Sequence, residues 1–202
     1  MHPDSPPSLP QPPRVLLSPR SKLVIGLALV PAFLVGALIL LRICGLLRPF
    51  NVPSAAMTPA VSAGDHVLME GITFLARQPR RGELVVFKAD GISLLPPGEF
   101  YIKRVAGEPG DHVRISEGKL FVNEKQVSLS NAVGAVVYDP PPGNTFSTPR
   151  TDVTVPEACY FVLGDNSTNS LDSRFYGSIP RSSIIGRVYF CYWPPQRIGG
   201  VK

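Results

Sequence analysis

The sequence predicts a mainly β protein in which one membrane-spanning helix precedes a single antiparallel β domain. Three observations lead to this fold class. The stretch Leu23–Leu41 holds 19 residues without a charge, short segments of alternating polar and apolar residues follow it, and no long period of 3.6 residues appears after it. A length of 202 residues is sufficient for one domain and an appendage.

The first 22 residues are rich in proline, with seven prolines among them. Proline has no backbone N–H to donate, so this density disfavours both helix and sheet. Residues 1–22 are therefore expected to form a disordered tail.

The apolar run would rise about 28 Å as a helix, close to the hydrocarbon thickness of a bilayer. Arg20 and Lys22 precede it and Arg42 and Arg48 follow it. The alternative is a cleaved secretory signal, but no small-x-small cleavage site follows before Arg42, which favours a retained anchor. Positive charge on the N-terminal side favours an N-terminus inside and a C-terminal domain outside. The expected domains are a tail at 1–22, a transmembrane helix at 23–42 and a β domain at 43–202.

Short strands are expected throughout the β domain. Ser116-Glu117-Gly118 separates two alternating segments and predicts a hairpin turn. The predicted strands are Asp65–Glu70, Gly82–Lys88, Phe100–Val105, Asp111–Ile115, Lys119–Asn123, Tyr160–Asp165 and Ile184–Phe190.

The net charge of +5 is attributed to basic residues beside the membrane span. No basic stripe interleaved with aromatic residues is present, so no nucleic-acid partner is expected. The three cysteines form no CxxC pair and no Cys/His cluster, so neither a metal nor a cofactor is expected. Cys159 and Cys191 could form a disulfide or remain reduced, and the sequence leaves both open.

Four sequence blocks carry the functional signal. The first follows the apolar run, the second and third are strand segments, and the fourth is a polar turn. They are Pro53-Ser54-Ala55-Ala56-Met57-Thr58-Pro59 with Gly64-Asp65, Arg81–Lys88, Tyr101–Asp111 and Gly164–Arg174. In this order after one N-terminal span, they resemble the bacterial type I signal peptidases, membrane-bound Ser-Lys proteases that remove signal peptides. The resemblance implies a signal-peptidase-type antiparallel β domain.

Lys103 is the expected general base. A serine hydroxyl needs a base to accept its proton, and a lysine serves only when burial lowers its pKa. In a strand the side chain of Lys103 lies on the same face as Tyr101 and Val105.

The resemblance places the nucleophile directly before Met57, where this chain has Ala56. Ser54 matches the residue whose hydroxyl helps form the oxyanion hole, with the backbone N–H of position 56 as the other donor. Three explanations stay open: a variant made inactive, a homologue that has lost the serine, or Ser54 as a relocated nucleophile. The last is awkward, because residues i and i+2 of an extended segment lie about 6–7 Å apart.

The resemblance also assigns supporting roles. Ser170 matches the residue that hydrogen-bonds and orients the lysine. Met57 matches a residue at the substrate cleft. Asp172 and Arg174 match an ion pair under the site, and Arg104 and Asp165 are expected to support it as well. A histidine-based mechanism is not expected, because no G-x-S-x-G motif is present.

The implied substrates are preproteins that carry signal peptides, bound as an added β-strand whose alternate small side chains enter pockets. Membrane lipid is the second expected partner, and the secretion machinery is left open as a third. An apolar surface of Phe50, Val52, Met57 and Phe74, joined by Tyr192 and Trp193, is expected to rest on the bilayer. The expected location is the bacterial inner membrane, with a single pass and the β domain on the outer face.

Two functions are carried forward. The first is a signal peptidase I whose nucleophile position is occupied by Ala56. The second is a non-catalytic homologue that binds signal peptides or membrane partners. A self-cleaving repressor of the Ser-Lys type is disfavoured, because the chain lacks a DNA-reading module.

Overall fold

The computed structural model of the protein describes residues 18–131, 134–135, 138 and 151–201. Most of the predicted tail and the proline-rich segment 139–144 lie outside these residues. The chain divides into two compact units between Leu40 and Leu41.

The first unit contains most of helix α1, which covers Pro19–Ile43. The helix begins four residues before Leu23, where the uncharged apolar run starts. Proline is favoured in the first turn of a helix, where its missing N–H has no intrahelical acceptor, and Pro19 occupies that position. Among the residues that the structure describes, no helix combines the length and hydropathy required to cross a membrane.

The described residues of the second unit form mainly strands, together with two four-residue helices. The strands are β1 Leu47–Asn51, β2 His66–Glu70, β3 Leu84–Lys88, β4 Phe100–Gly107, β5 His112–Ser116, β6 Lys119–Val122, β7 Lys125–Val127, β8 Ser130–Asn131, β9 Gly134–Ala135, β10 Asp152–Thr154, β11 Cys159–Leu163, β12 Ile179–Pro180, β13 Ile184–Trp193 and β14 Gly199–Gly200. The helices are α2 Thr73–Ala76 and α3 Ser173–Tyr176.

The larger sheet has the strand order β1-β2-β13-β3-β4-β11-β12, and β14 pairs with β13. A four-stranded sheet, β10-β5-β6-β7, is inserted between β4 and β11 in the sequence, and β8 and β9 form a separate pair. Each described pairing is antiparallel. The prediction of a mainly β, antiparallel domain is confirmed.

The turn between β5 and β6 follows the sequence prediction. Glu117 and Gly118 have φ values of +51° and +70°, so both central residues occupy the left-handed region. This is the pattern of a type I′ turn, whose twist matches that of the flanking strands. It aligns Ser116 with Lys119 in the hairpin register.

Strand β1 was not predicted, because Pro49 interrupts its pattern. Within the described residues β1 pairs only with β2. Proline is tolerated on an edge strand, where its missing N–H removes no ladder hydrogen bond.

Burial corrects the predicted membrane-facing surface. Val52, Met57 and Phe74 are buried in the core, whereas Tyr192 and Trp193 are exposed. Val52 and Met57 belong to what is called here the third apolar cluster, whose other buried members are Val61, Val67, Met69, Leu84, Val86, Val188 and Cys191. Local apolarity could not distinguish these packed residues from surface ones.

The two cysteines whose pairing was open are both free thiols. Cys159 begins β11 and Cys191 lies in β13, and strands β3 and β4 separate these two in the sheet. A disulfide needs Cα atoms within about 7 Å, which this separation does not allow.

Candidate active site

Lys103 lies in the middle of β4, with its side chain buried and only 3% of the residue exposed. Its strand neighbours Tyr101 and Val105 pack in a first apolar cluster, and Ile102 packs against the third. The first cluster also contains Phe87, Val162, Tyr176 and Ile179. The alternation of a strand therefore places the lysine among apolar side chains. Lys103 Nζ donates a hydrogen bond of 2.9 Å to Ser170 Oγ.

Ser170 reaches Lys103 from the turn after β11. A short 3-10 turn, Ser167–Asn169, precedes it, and the serine itself is extended and buried. Gly164, directly after β11, lies in close contact with Ser170 and with Ala56. A Cβ at Gly164 would lie 2.1 Å from Ser170 Oγ and 2.8 Å from the carbonyl oxygen of Ala56. Glycine is therefore required where these three backbone segments meet.

Ala56 is buried in the loop 52–65 that joins β1 to β2. Its carbonyl oxygen accepts a hydrogen bond of 3.1 Å from the backbone N–H of Asn166. The side-chain amide of Asn166 also donates to the carbonyl oxygen of Ala55, at 3.2 Å. These contacts fix position 56 beside the turn that carries Ser170.

Arg104 and Asp165 form a buried ion pair behind Lys103. Arg104 Nε donates to Asp165 Oδ1 at 2.7 Å and Nη2 donates to Oδ2 at 2.6 Å. Arg104 Nη1 also donates to the carbonyl oxygen of Gly82. Such a two-point contact fixes the planes of both groups, so it ties β4 to the turn after β11.

A second buried pair joins Asp172 and Arg174. Arg174 Nε and Nη2 donate to Asp172 Oδ1 and Oδ2, both at 2.9 Å. Asp172 also caps α3 by accepting from the backbone N–H of Arg174, and it accepts from the N–H of Gly164 at 3.0 Å. Arg174 Nη2 donates to the carbonyl oxygen of Ser167. The pair thus supports both ends of the turn that holds Ser170.

Burial lowers the pKa of Lys103 from its usual value near 10.5 to about 8. The principal cause is loss of hydration, which penalises the charged ammonium. The carboxylates of Asp172 and Asp165 act in the opposite direction, and Arg174 lowers the pKa further. A lysine with this pKa exists largely in the neutral form at mildly alkaline pH and can accept a proton there.

A groove with a volume of about 340 Å³ opens at Lys103. Its two walls are the segment after β1 and the first half of β4. The lining residues are Phe50, Asn51, Val52, Pro53, Ser54, Met57, Pro96, Glu99, Phe100, Tyr101, Ile102 and Lys103.

The strand edges at this groove are free within the part of the chain that the structure describes. Strand β4 pairs with β3 from Phe100 to Arg104, whereas β11 pairs with β4 only from Arg104 onward. The other edge of β4 from Phe100 to Lys103 is thus unpaired, as is the outer edge of β1.

The two remaining predicted residues, Ser54 and Met57, both line the groove. Met57 is buried in the third apolar cluster, so its side chain is both a core residue and part of the wall. Ser54 is exposed, and among the described hydrogen bonds none joins its hydroxyl to Lys103. The structure therefore couples Lys103 to Ser170 and leaves Ser54 at the groove surface.

Sequence reasoning missed two residues of this site. Gly164 and Asn166 flank Asp165 in the fourth block, but the block predicted only a polar turn for Asn166 and no role for Gly164. A glycine directly after a buried strand was the available signal for a close approach of backbones. The contact between Asn166 and the Ala55-Ala56 backbone spans more than 100 residues of sequence, so no local pattern encodes it.

Comparison with protein families gives a match over most of the chain. The family model described as "Signal peptidase, peptidase S26" matches residues 24–193. This range contains each of the residues of the Lys103 site described above.

Individual relatives agree with the family match. The chain is 36% identical to the probable signal peptidase I-2 of a Synechocystis strain, over 73% of this chain and 64% of that protein. It is 34% identical to the probable thylakoidal processing peptidase 2 of Arabidopsis thaliana, over 77% of this chain and 41% of that protein. It is 32% identical to signal peptidase IB of Staphylococcus aureus, over 84% of this chain and 86% of that protein. The chain thus spans less than two thirds of the first two relatives.

Proposed function

The chain belongs to the signal peptidase family, peptidase S26, and we propose that its β domain carries the site that removes signal peptides from exported preproteins. The reaction class is hydrolysis of a peptide bond by Ser-Lys chemistry. The observation that carries the proposal is the buried Lys103, whose Nζ lies 2.9 Å from Ser170 Oγ and whose pKa is lowered to about 8.

Each residue of the site receives a role in this proposal. Lys103 is the general base, and Ser170 orients its amine. The hydroxyl of Ser54 and the backbone N–H of position 56 are the oxyanion donors. Met57 belongs to the groove wall, and the buried pairs of Arg104 with Asp165 and of Asp172 with Arg174 hold the surrounding turn in place.

Ala56 occupies the position of the nucleophile in this proposal. Its methyl group offers no oxygen to attack a carbonyl carbon, so no acyl-enzyme forms at this residue. The chain as written is then a signal peptidase that lacks one atom, the hydroxyl oxygen at position 56. Two origins remain, a variant made inactive or a homologue that has lost the serine.

Ser54 is the alternative nucleophile, and its surroundings do not favour it. Its side chain is exposed, and Lys103 donates its described hydrogen bond to Ser170 instead. A general base must lie within hydrogen-bond reach of the proton that it accepts.

The signal peptide is proposed to bind as an additional strand in the groove. The free edges of β1 and of β4 from Phe100 to Lys103 offer backbone donors and acceptors on both sides. Every second side chain of the peptide would then face the domain, and small residues would fit at two alternate positions before the cleaved bond.

Membrane attachment through the run Leu23–Leu41 is part of the proposal, and it rests on the sequence of this run. The run lies within α1 and has no charged residue, and basic residues flank it on both sides. The proposed location is the bacterial inner membrane, with a single pass and the β domain on the outer face. Membrane lipid and preproteins are the proposed partners, and a contact with the secretion machinery remains open.

A second candidate function rests on Ala56 itself. A homologue without a nucleophile can retain the groove and bind signal peptides without cleaving them. Such a protein would have no chemical use for a buried lysine of lowered pKa, and this favours the first proposal.

The test is mass spectrometry of a preprotein incubated in detergent with the chain as written and with its Ala56→Ser variant. Cleavage after a small-x-small sequence by the variant alone supports the peptidase proposal. Cleavage by both forms that Ser54→Ala abolishes assigns the nucleophile to Ser54. A preprotein that binds to both forms and is cut by neither supports the binding homologue and refutes the peptidase.

A further inference from the structure

The loop 52–65 carries position 56 and contains neither a helix nor a strand. Its two ends are joined by backbone hydrogen bonds, from the N–H of Val52 to the carbonyl of Asp65 at 2.9 Å and from the N–H of Gly64 to the carbonyl of Val52 at 2.8 Å. A closed loop without regular structure depends on contacts from outside to fix its interior. The place of residue 56 relative to Lys103 therefore depends on the groups that brace the loop.

One side of the loop is braced by Asn166, through the carbonyl oxygens of Ala55 and Ala56. The other side is braced by Arg197. Its Nε lies 2.8 and 2.9 Å from the two carboxylate oxygens of Asp65, and its Nη2 donates to the carbonyl oxygens of Pro59 and Ala60 at 3.1 and 3.3 Å.

Asp65 is a buried carboxylate, with 1% of the residue exposed. It also accepts a hydrogen bond of 2.8 Å from the backbone N–H of Ser62. The side chain of Arg197 is 36% exposed and that of Asp65 only 2%, so the arginine covers a buried carboxylate from the solvent side. Arg197 thus connects residues 59–60 of the loop to Asp65 at its end.

The topology explains how a residue near the C-terminus reaches this loop. Trp193 at the end of β13 pairs with His66 at the start of β2. The 3-10 turn Pro195–Arg197 follows directly, so it is delivered beside Asp65. Arg197 lies four residues beyond the end of the family match at residue 193, outside the blocks that carry the resemblance.

We propose that Arg197 is a positioning residue for the chemistry at position 56, which it places by clamping Asp65 to the carbonyls of Pro59 and Ala60. The inference rests on the proposed peptidase function of this site. The loop 52–65 is then held in place by two residues, Asn166 at residues 55–56 and Arg197 at residues 59, 60 and 65.

In the Ala56→Ser variant, removal of the Arg197 contacts should lower kcat. A misplacement of about 1 Å at a reacting group can reduce a rate about 100-fold. The residues that Arg197 contacts, Pro59, Ala60 and Asp65, do not line the groove, so peptide binding should change less than the rate does. The clamp therefore predicts a change in kcat without a comparable change in KM.

The experiment uses the full chain with Ala56→Ser in detergent micelles and a peptide with alanine at the first and third positions before the cleaved bond. Arg197→Gln should lower kcat about 10- to 100-fold and leave KM within about twofold. The matched control is Arg181→Gln. Arg181 likewise donates to two backbone carbonyls, those of Ile184 and Phe74, but it has no described contact with the loop. Arg197→Lys should recover part of kcat, because it keeps the charge opposite Asp65 but loses the planar fork.

A second readout does not require peptidase activity. In a chain with Ala56→Cys and Cys44→Ser, the alkylation rate of the new thiol reports its distance from the Lys103 ammonium, which stabilises a thiolate. Arg197→Gln should slow this alkylation about 10-fold at pH 7, and Arg181→Gln should leave it unchanged. Peptide mass spectrometry locates the adduct.

The outcomes separate the two claims. If Ala56→Ser does not cleave, the proposed function fails, and the alkylation rates alone decide the clamp. If Ala56→Ser cleaves, and Arg197→Gln lowers neither kcat nor the alkylation rate more than Arg181→Gln does, the clamp is refuted. A fall in kcat and alkylation confined to the Arg197 variants supports it.

Discussion

Lys103 Nζ lies 2.9 Å from Ser170 Oγ, although 67 residues of sequence separate them. Both side chains are buried, and no other described group hydrogen-bonds the amine. Ser170 thus fixes the direction of the lysine, while apolar surroundings lower its pKa. Ala56, at the proposed position of the nucleophile, lies beside the turn that carries Ser170.

The pKa of Lys103 predicts the pH dependence of a restored enzyme. The general base must be neutral, so kcat/KM of the Ala56→Ser variant should rise about tenfold per pH unit below pH 8 and level off above it. The measurement is a pH–rate profile with a soluble peptide. A profile without an inflection between pH 7 and 9 would contradict the assignment of Lys103 as base.

Gly164→Ala is expected to disable the site by steric conflict. The added methyl group would lie 2.1 Å from Ser170 Oγ and 2.8 Å from the carbonyl oxygen of Ala56, and both segments would have to move. Together with Ala56→Ser, the change should lower kcat/KM at least about 100-fold. Gly199→Ala is the matched control, because its methyl group would meet nothing within 4 Å and its φ is not positive. Equal activity of the two variants would show that the approach at Gly164 is not required.

Asp165→Asn tests the buried pair with Arg104. Loss of the carboxylate leaves a buried guanidinium without its counter-ion, and the free energy of unfolding should fall by about 3–5 kcal/mol. Lys88→Gln removes one partner of the exposed pair with Asp90 and should lower the free energy of unfolding far less, because solvent screens this pair. Chemical denaturation of the full chain in detergent gives both values. Similar losses for the two variants would contradict a structural role for the buried pair.

The burial of Lys103 lowers the free energy of unfolding at neutral pH, because the charged ammonium loses its hydration. Its folded-state pKa of about 8 lies below the unfolded value near 10.5, so the unfolded chain binds more protons between these values. The free energy of unfolding therefore rises with pH across this window. The penalty below pH 8 is about 3 kcal/mol, at 1.36 kcal/mol per pKa unit.

Lys103→Met should remove this penalty. After loss of the hydrogen bond to Ser170, which contributes about 1 kcal/mol, the variant should be about 1–2 kcal/mol more stable than the parent at pH 6–7. The difference should shrink toward pH 10.5. Lys119→Met, at an exposed lysine, serves as the control and should change stability by less than about 0.5 kcal/mol at each pH. A variant that is less stable than the parent at pH 6 would refute the lowered pKa.

Local sequence patterns predicted the parts of the structure that depend on strand alternation and turn chemistry. The alternation around Lys103 predicted its face, and Glu117-Gly118 predicted the hairpin. Other features depend on contacts distant in sequence. Val52 and Met57 were expected at the surface and are buried, because strands β2 and β13 cover them.

The same limit applies to the candidate site. Its blocks were recognised together through the resemblance, which also implied the role of Ser170, and the chemistry of a lysine base explained Lys103. The bracing of position 56 by Asn166 and Arg197 was not predicted. Both residues approach the loop 52–65 from more than 100 residues away, and polar residues in turns carry no signal for such partners.

The intact mass of the protein during turnover tests whether residue 56 is the position of the nucleophile. The chain as written and its Ala56→Ser variant are incubated with a signal-peptide ester, quenched in acid and digested to locate any acyl group. We expect an adduct on residue 56 of the variant that Lys103→Met prevents, and no adduct on the chain as written. An acyl group on Ser54 of the chain as written would contradict this expectation.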